Sequence, residues 1–258
     1  VRFVEGYIRD RPLLADLFPG IDYCFHLAAL RITRCADRPR EALEIMYEGS
    51  FNVIEACVDH GVRKLVAASS ASIYGGAEVF PTPETHHPYN NRTLYGAAKM
   101  ALELMLRSFA DMRGLRYNAM RYFNIYGPRM DTEGKYTEVL IRWYYLLRDG
   151  KPPVIFGPGD QTMDFVFVED VARASILALQ AEACGEVFNV AAGVETSLKE
   201  LCYALIRTMG ARVEPSFVPL PPERKAVEVQ RRLASTAKAS RLIGFDARVT
   251  LTEGLRRL

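Results

Sequence analysis

Short apolar runs alternate with longer, helically patterned segments through the first half of the chain. Three of the apolar runs predict buried strands: Tyr23–Ala29, Lys64–Ser69 and Tyr117–Tyr126. Between them, apolar residues recur at helical spacing over about 40–60 and about 93–113, and Gly61 and Gly114 supply the predicted helix ends. Apolar strands that alternate with helices are typical of a parallel sheet covered on both faces. The pattern therefore predicts an α/β fold built on a doubly wound parallel sheet.

The pattern becomes less regular beyond Gly127 and Pro128. It predicts two helices, two strands and a proline-rich loop: Thr137–Arg148, Ser197–Met209, Phe165–Val168, Val187–Ala191 and Pro219–Glu223. We expect a parallel-sheet domain over residues 1–127 and a smaller α/β substrate-binding region over 128–258. Segments near 163–192 are expected to return from the second region to the first.

The charge balance restricts the classes of partner. The 258 residues include 33 lysines and arginines against 31 aspartates and glutamates, a net charge of +2. Proteins that bind nucleic acids usually carry a strong basic excess, so we expect no nucleic-acid partner. The sequence has no run of 18 apolar residues and no signal peptide at its start. We therefore expect no membrane partner.

The cysteines and histidines do not form a recognisable metal or disulfide framework. The five cysteines are widely scattered, without a C-x-x-C pair: Cys24, Cys35, Cys57, Cys184 and Cys202. This usage predicts a reducing, cytoplasmic setting. His26 lies in a predicted strand and fits a buried core residue, whereas His86 and His87 occupy a loop. We assign no metal site.

The candidate chemistry begins with a Tyr-x-x-x-Lys motif, Tyr95 to Lys99, in the first turn of the second long helix. Residues four apart on a helix are neighbours, so the phenol and the ammonium can address one site. A Lys⁺ at about 5 Å stabilises a phenolate by about 3 kcal/mol, which lowers the pKa of the tyrosine towards the range of a general base. The alternative is an ordinary surface Tyr–Lys pair.

Ser70 strengthens the catalytic interpretation. It ends the predicted strand before this helix, and parallel α/β folds bind ligands at the carboxyl ends of their strands. A hydroxyl there could hydrogen-bond the same substrate oxygen that Tyr95 deprotonates. The alternative is that Ser69, Ser70 and Ser72 only satisfy main-chain groups of a turn.

Taken together, the motifs of this chain resemble those of the extended short-chain dehydrogenase/reductases. Within them, the similarity is to the NAD-dependent nucleotide-sugar epimerase/dehydratases, and most to their UDP-glucose 4-epimerase-like members. It rests on segments spread along the chain: Phe3–Gly6, His26–Ala29, Gly49 with Asn52–Ala56, Ser69–Gly75, Tyr95–Lys99, Arg121–Arg129, Asp164–Asp170, Val187–Val190 and Leu242–Gly244. The resemblance implies a Rossmann-like sheet, NAD as the cofactor and a nucleotide sugar as the substrate.

The resemblance also implies roles for individual residues. Tyr95 would be the catalytic base, Lys99 its partner and a ribose contact, and Ser70 the anchor of the substrate hydroxyl. The remaining cofactor contacts would be Ala28, Ala29, Arg31, Ser69, Tyr122 and Phe123. The remaining substrate contacts would be Asn124, Arg129 and Arg232, the last as an ion pair with a phosphate.

Several positions depart from the family pattern: Tyr7, Met46, Met163 and Ser235 stand where Asp, Asn, Arg and Asp are common. Met163 suggests a rearranged phosphate site or a different sugar. The glycine-rich fingerprint that holds the NAD pyrophosphate is also absent from these residues. We expect that about 50–60 residues of a complete fold precede Val1, given about 30 for each βαβ step. Without them, NAD affinity should fall; a longer protein should bind NAD normally.

The reaction favoured by the resemblance is epimerisation at C4 of a UDP-hexose through a 4-keto intermediate. Related dehydratases and decarboxylases place acidic residues just after the catalytic hydroxyl, whereas Ala71 and Ser72 follow Ser70 here. A dehydratase or reductase of the same superfamily remains an alternative, as do a non-catalytic nucleotide-sugar-binding relative and an interaction protein.

The two long predicted helices resemble those that pair across the two-fold axis of family dimers. The helix over about 40–60 carries apolar stripes on two faces, as expected if one face packs on the sheet and the other on a partner. A helix buried on both sides within one chain would give the same pattern. We expect a homodimer through helices near 40–60 and 93–113.

Overall fold

The computed structural model describes residues 2–130, 132, 139–220 and 229–258. Its helices are, in chain order, α1 (Arg11–Leu17), α2 (Ile32–Asp37), α3 (Pro39–Ala42), α4 (Ser50–Asp59), α5 (Leu94–Arg113), α6 (Val139–Arg148), α7 (Val168–Gln180), α8 (Leu198–Thr208), α9 (Ala237–Ile243) and α10 (Leu251–Arg256). Its strands are β1 (Tyr23–His26), β2 (Lys64–Ser70), β3 (Tyr117–Tyr122), β4 (Asn124–Tyr126), β5 (Val154–Phe156), β6 (Thr162–Phe167), β7 (Glu186–Val190), β8 (Glu195–Ser197) and β9 (Ser216–Val218). A π-helical turn, Leu43–Gly49, joins α3 to α4, and a 3-10 turn, Ala71–Ile73, follows β2.

The central sheet has four parallel strands in the order β1-β2-β3-β7. Successive residues of β2 point to opposite faces, and both faces are apolar. Leu65 packs with α1, α4 and α5 on one side, whereas Val66 packs with α7 and α9 on the other. Burial on both faces explains why β2 reads as a continuous apolar run. The predicted doubly wound α/β sheet is confirmed.

A second layer is built from the later part of the chain. β4, β6 and β8 form a three-stranded sheet, and β5 pairs with β9. Their core is completed by α6, α8 and α10, with Trp143, Phe167 and Leu201 at its centre. β7 returns to the central sheet, whereas β6 stays in the smaller one. The division of the chain at residue 127 stays a prediction.

The structure corrects two predicted elements. The single strand expected over Tyr117–Tyr126 is two strands in different sheets, because the chain turns from the central sheet at Phe123, whose N–H donates to the Val190 carbonyl. The helix expected over 40–60 is interrupted by the π-helical turn. That wide turn directs the Met46 sulfur towards the Leu30 amide, 3.1 Å away.

The other predicted boundaries lie within a few residues of those observed. Residues 137 and 138 of the predicted helix, and 221–223 of the predicted proline-rich loop, lie outside the described residues. None of the helices over the described part of the chain is both long enough and apolar enough to cross a bilayer.

His26 is the buried residue that ends β1. Its Nε2 lies 3.0 Å from Ser50 Oγ, and burial, with a smaller contribution from the charge of Lys99, lowers its pKa to about 4. An unfolded histidine has a pKa of about 6.5. Protons therefore bind the unfolded chain more tightly, so the stability contributed by neutral His26 is present above pH 6.5 and is lost as the pH falls towards 4.

We predict that His26→Gln reduces the loss of stability on acidification. Between pH 6.5 and 4, the free energy of unfolding of the wild type should fall by about 3 kcal/mol more than that of the variant, because the variant has no histidine to protonate. Urea unfolding at several pH values measures both. The comparison above pH 6.5 is the control, because there the two proteins should keep a constant difference in stability. Equal slopes for His26→Gln and the wild type would contradict the prediction.

Candidate active site

The candidate site lies at the carboxyl ends of β2 and β3, where a cavity of about 1400 Å³ opens. A single small-molecule site measures roughly 300–1,000 Å³, so this cavity can take two ligands side by side. Its described wall carries four basic side chains and no acidic one: Arg31, Lys99, Arg142 and Arg232. This set of donors suits ligands with phosphate groups, because each cation offers charge-assisted hydrogen bonds to phosphate oxygens.

The start of α5 is fixed by a chain of local hydrogen bonds. The Asn91 side-chain oxygen accepts from both the N–H and the hydroxyl of Thr93, and the Thr93 hydroxyl oxygen accepts from the Gly96 N–H at 3.0 Å. Thr93 is thus the N-cap that the helix needs. These bonds place Tyr95 in the first turn of α5, facing the end of β2.

Gly96 allows that close approach. A Cβ at this position would lie 2.6 Å from the Ser72 carbonyl oxygen and 2.3 Å from the Asn91 side-chain oxygen. Since any larger residue would clash with the turn that follows Ser70, the glycine lets α5 pack directly against it. The glycine in Tyr95-Gly-Ala-Ala-Lys99 therefore contributes to the distance between the tyrosine and Ser70.

Ser70 satisfies a main-chain group of the turn and also contacts Tyr95, whereas its role towards a substrate oxygen stays a prediction. Its hydroxyl oxygen accepts from the Ser72 N–H at 3.1 Å and so caps the 3-10 turn after β2. The same side chain is hydrogen-bonded to Tyr95. The two groups that would share a substrate oxygen therefore lie in contact at the cavity wall.

Tyr95 and Lys99 differ from expectation in their proton affinities. The pKa of Tyr95 lies above its ordinary value, because burial raises it more than the Ser70 hydrogen bond lowers it. Lys99 Nζ lies 5.8 Å from the centre of the Tyr95 ring and donates to the Ala68 carbonyl at 2.6 Å. Burial lowers the Lys99 pKa to about 8. The predicted depression of the tyrosine pKa by the lysine is wrong: burial raises that pKa, and the charge of Lys99 is not among the causes of the shift.

Most of the remaining predicted residues border the same cavity: Ala29, Arg31, Ser69, Tyr122, Phe123, Asn124 and Arg232. Some of their polar atoms already have partners. The Ser69 hydroxyl donates to Glu103 at 2.5 Å, and the Asn124 amide donates to the Asp164 carbonyl at 3.1 Å. Ala28 and Arg129 are exposed and are not part of this wall.

The positions that depart from the family pattern lie in different surroundings. Met163 borders the cavity, and Met46 is buried beneath the loop that follows β1. Tyr7 is exposed, with the Arg9 guanidinium near its ring. The main chain of Ser235 bonds to Thr82 and to the Asn189 side chain, so this residue joins the loop around Thr82 to β7.

Four residues near the site were missed from the sequence. Arg142 adds a basic group to the cavity wall, and Asp164 holds a main-chain turn beside it. Glu103 and Arg121 form a buried ion pair directly behind Ser69. Glu103 follows Lys99 by one helical turn, and Arg121 interrupts an apolar strand. A charged residue within a buried apolar pattern is rare, and this could have indicated both residues from the sequence.

Glu78, His86 and His87 come together in the loop after the 3-10 turn. Both ring nitrogens of His86 are already engaged by main-chain groups: the Glu78 N–H and the His87 carbonyl. The His87 ring faces the Glu78 carboxylate at 3.5 Å and stacks on Tyr89. These contacts account for the cluster, and the prediction of no metal site stays a prediction.

A model of the NAD dependent epimerase/dehydratase family matches residues 1–191. The chain is 35% identical to the UDP-glucose 4-epimerase of Mycolicibacterium smegmatis over an alignment of 258 positions, which covers 98% of this chain and 80% of that protein. The crystal structure of Thermotoga maritima UDP-glucose 4-epimerase with UDP-glucose superposes with a TM-score of 0.92 at 33% identity, covering 98% of this chain and 82% of that one. A dTDP-glucose 4,6-dehydratase from Streptomyces venezuelae, with NAD bound, gives a TM-score of 0.88 at 27% identity, with 99% and 77% covered.

We predict that Gly96→Ala destabilises the protein and lowers the activity of the site. The added Cβ meets a main-chain oxygen and a side chain that itself holds the N-cap, and such overpacking costs about 1–3 kcal/mol. Gly76→Ala is the matched control, since a Cβ there meets nothing within 4 Å. Denaturant unfolding of both variants tests the prediction. Equal stability of the two would show that α5 can move away from the turn without cost.

Proposed function

The chain belongs to the NAD-dependent epimerase/dehydratase family, in which the cofactor is NAD, and on that premise we propose that it epimerises a nucleotide sugar. The specific reaction that we propose is inversion at C4 of a UDP-linked hexose. The observation that carries this proposal is the hydrogen-bonded pair of Ser70 and Tyr95, one turn before Lys99, at the wall of the basic cavity.

The proposed reaction uses three side chains of this chain. Tyr95, as phenolate, takes the proton of the sugar 4-hydroxyl, while the Ser70 hydroxyl donates a hydrogen bond to the same oxygen and holds it in line. NAD, when bound, supplies the hydride acceptor and then the hydride donor. The 4-keto sugar turns over in the cavity, and after reduction on its other face Tyr95 returns the proton. Sugar and cofactor thus end in the oxidation states in which they began.

The predicted site residues would divide between cofactor and substrate, including Ala28 and Arg129, which lie outside the cavity wall. We assign Ala28, Ala29, Arg31, Ser69, Tyr122 and Phe123, together with Tyr95 and Lys99, to the NAD side. We assign Asn124, Arg129, Arg142 and Arg232, together with Ser70, to the substrate side. The cations at the wall support this division, because dinucleotide and sugar nucleotide each carry a pyrophosphate. Arg142 can substitute for the arginine that Met163 replaces.

The second candidate function is dehydration of a nucleotide sugar. It is favoured by the similarity of this fold to the Streptomyces venezuelae dehydratase. Elimination of water needs an acid–base group beside the carbon next to the ketone. Ala71 and Ser72, which directly follow the Ser70 hydroxyl, cannot act as carboxylic acids, and this supports epimerisation.

We predict that the protein, supplied with NAD, converts UDP-glucose, UDP-N-acetylglucosamine or UDP-glucuronate into its C4 epimer. Tyr95→Phe should lower the rate by about 10²–10⁴-fold, because the proton acceptor is lost. Tyr89→Phe is the control: Tyr89 is an exposed phenol, outside the cavity wall. Nuclear magnetic resonance of the products distinguishes epimers from other outcomes. Formation of a 4-keto-6-deoxy sugar alone would favour the dehydratase.

We also propose a homodimer formed through α4, the preceding π-helical turn and α5. These elements carry four exposed apolar side chains: Leu43, Phe51, Leu104 and Met112. Phe51 on α4 contacts the Phe109 ring on α5 edge-on, with ring centres 5.5 Å apart, so the two helices present one surface. Burial of such a patch in a partner would remove apolar area from water.

We predict that Leu104→Glu converts this dimer into a monomer. A charge at this position would be desolvated in the interface without a partner. Sedimentation velocity of wild type and variant at equal concentration measures the change. Val194→Glu, an exposed apolar position in the loop between β7 and β8, should leave the dimer intact. A wild-type protein that sediments as a monomer would refute the proposal.

A further inference from the structure

Three side chains on one face of α5 contact three consecutive residues at the end of β2. Tyr95 hydrogen-bonds Ser70, Lys99 donates to the Ala68 carbonyl, and Glu103 accepts from the Ser69 hydroxyl at 2.5 Å. These helix residues are spaced by four, so they form one ladder along the helix. Two of its three members belong to the proposed reaction; Glu103, the third, has no role there.

Glu103 is a buried carboxylate with strong partners. It forms a bidentate ion pair with Arg121 of β3, at 2.6 Å between Oε2 and Nη2 and 2.9 Å between Oε1 and Nε. The exposed fractions of the two side chains are 5% and 6%. A buried pair of this kind often adds little net stability compared with apolar residues of the same volume. Its presence behind an active site therefore calls for a reason other than stability.

Arg121, the other member of the ion pair, is itself held by hydrogen bonds. The Arg121 guanidinium donates to the Tyr74 hydroxyl and to the Glu84 carbonyl, both at 2.9 Å. Tyr74 in turn donates to the Asn189 side chain on β7 at 2.6 Å. Glu103 is therefore held from β3 and, through Tyr74, from β7. Its carboxylate has a fixed position from which to orient Ser69.

The charge of Glu103 also acts on Lys99. The titratable groups that influence or adjoin the lysine are Cys35 from α2, His26 from β1 and, on α5 itself, Tyr95 and Glu103. Burial lowers the Lys99 pKa, and the charges of Cys35 and Glu103 oppose that change. Since a neutral thiol carries no charge at neutral pH, the carboxylate supplies the steady opposing charge.

We propose that Glu103 is a positioning residue of the site, which holds Ser69 and hence Ser70 against Tyr95 and places a carboxylate one helical turn from the Lys99 ammonium. This inference rests on the proposed function, in which Ser70, Tyr95 and Lys99 act on the sugar hydroxyl and the cofactor. Glu103 is not part of the described cavity wall. It acts through the end of β2 and through its electrostatic effect on the lysine.

The central experiment uses Glu103→Gln, which retains the shape and the acceptor for Ser69 but removes the charge. Loss of the carboxylate leaves the Arg121 cation uncompensated, so Lys99 should lose its proton about one pH unit lower than in the wild type. The basic limb of the pH–rate profile should shift down by the same amount. The Lys99 side-chain resonance, followed by ¹³C NMR in the protein without substrate, should titrate with the same shift.

Two further variants distinguish the effect of the Glu103 charge on Lys99 from its effect on the position of Ser69. Glu103→Gln combined with Arg121→Met removes both charges and should return the Lys99 titration close to that of the wild type. Glu103→Asp keeps the charge but shortens the reach to Ser69. It should leave the titration unchanged while kcat falls on the order of ten-fold, through misplacement of Ser70.

Asp170→Asn is the control for the general cost of neutralising a buried carboxylate. Asp170 is also buried, pairs with Arg173 at 2.7 Å and accepts from two main-chain N–H groups of the segment before α10. Its variant should lose stability without moving the Lys99 titration. If Glu103→Gln behaves in the same way, Glu103 is a structural residue and the inference is wrong.

Failure of the proposed function would be recognised separately. A wild-type protein that epimerises none of the nucleotide sugars, with NAD supplied, would refute the proposed function. The NMR titration of Lys99 does not depend on turnover, so it would still decide whether Glu103 controls the protonation of the lysine.

Discussion

Burial of ionisable groups between α5 and β2 is the constraint on which the site depends. A phenol, an ammonium and a carboxylate share this space, and removing charge from water costs several kcal/mol for each ion unless partners replace the solvent. The partners come from the end of β2 and from Arg121. These hydrogen bonds fix the position of α5 along its axis. A shift along that axis would leave both the Lys99 ammonium and the Glu103 carboxylate without them.

A second buried carboxylate, that of Asp164, joins separate stretches of the chain beside the cavity. Asp164, in β6, accepts from the main-chain N–H groups of Ala192, Gly193 and Ala234. Burial raises its pKa to about 6, against the effect of these hydrogen bonds. Three separate stretches of chain, from β6, from the loop after β7 and from the segment before α9, thus meet at one side chain. The wall that carries Met163 and Arg232 is joined to the central sheet through this residue.

The sequence predicts those features that arise from repeated patterns. Apolar runs and helical stripes predicted the sheet and its covering helices, because many residues contribute in the same way to each of these patterns. The turn from one sheet to another at Phe123 was missed, since the apolar run continues through it from β3 into β4. The spacing of Tyr95 and Lys99 likewise indicated that they lie on one face, whereas their proton affinities depend on burial by distant parts of the chain.

The effect of burial on the Tyr95 pKa restricts how the proposed reaction can begin. Burial alone favours the neutral phenol of Tyr95, held by Ser70, at neutral pH. A phenolate requires a gain in positive potential inside the cavity. Lys99 lies one helical turn from Tyr95, but its Nζ is held by the Ala68 carbonyl at 2.6 Å. A ligand that offered this ammonium a new partner would have to compete with that carbonyl. The same hydrogen bond that makes burial of the lysine tolerable therefore sets how readily its charge can be redirected towards the reacting oxygen.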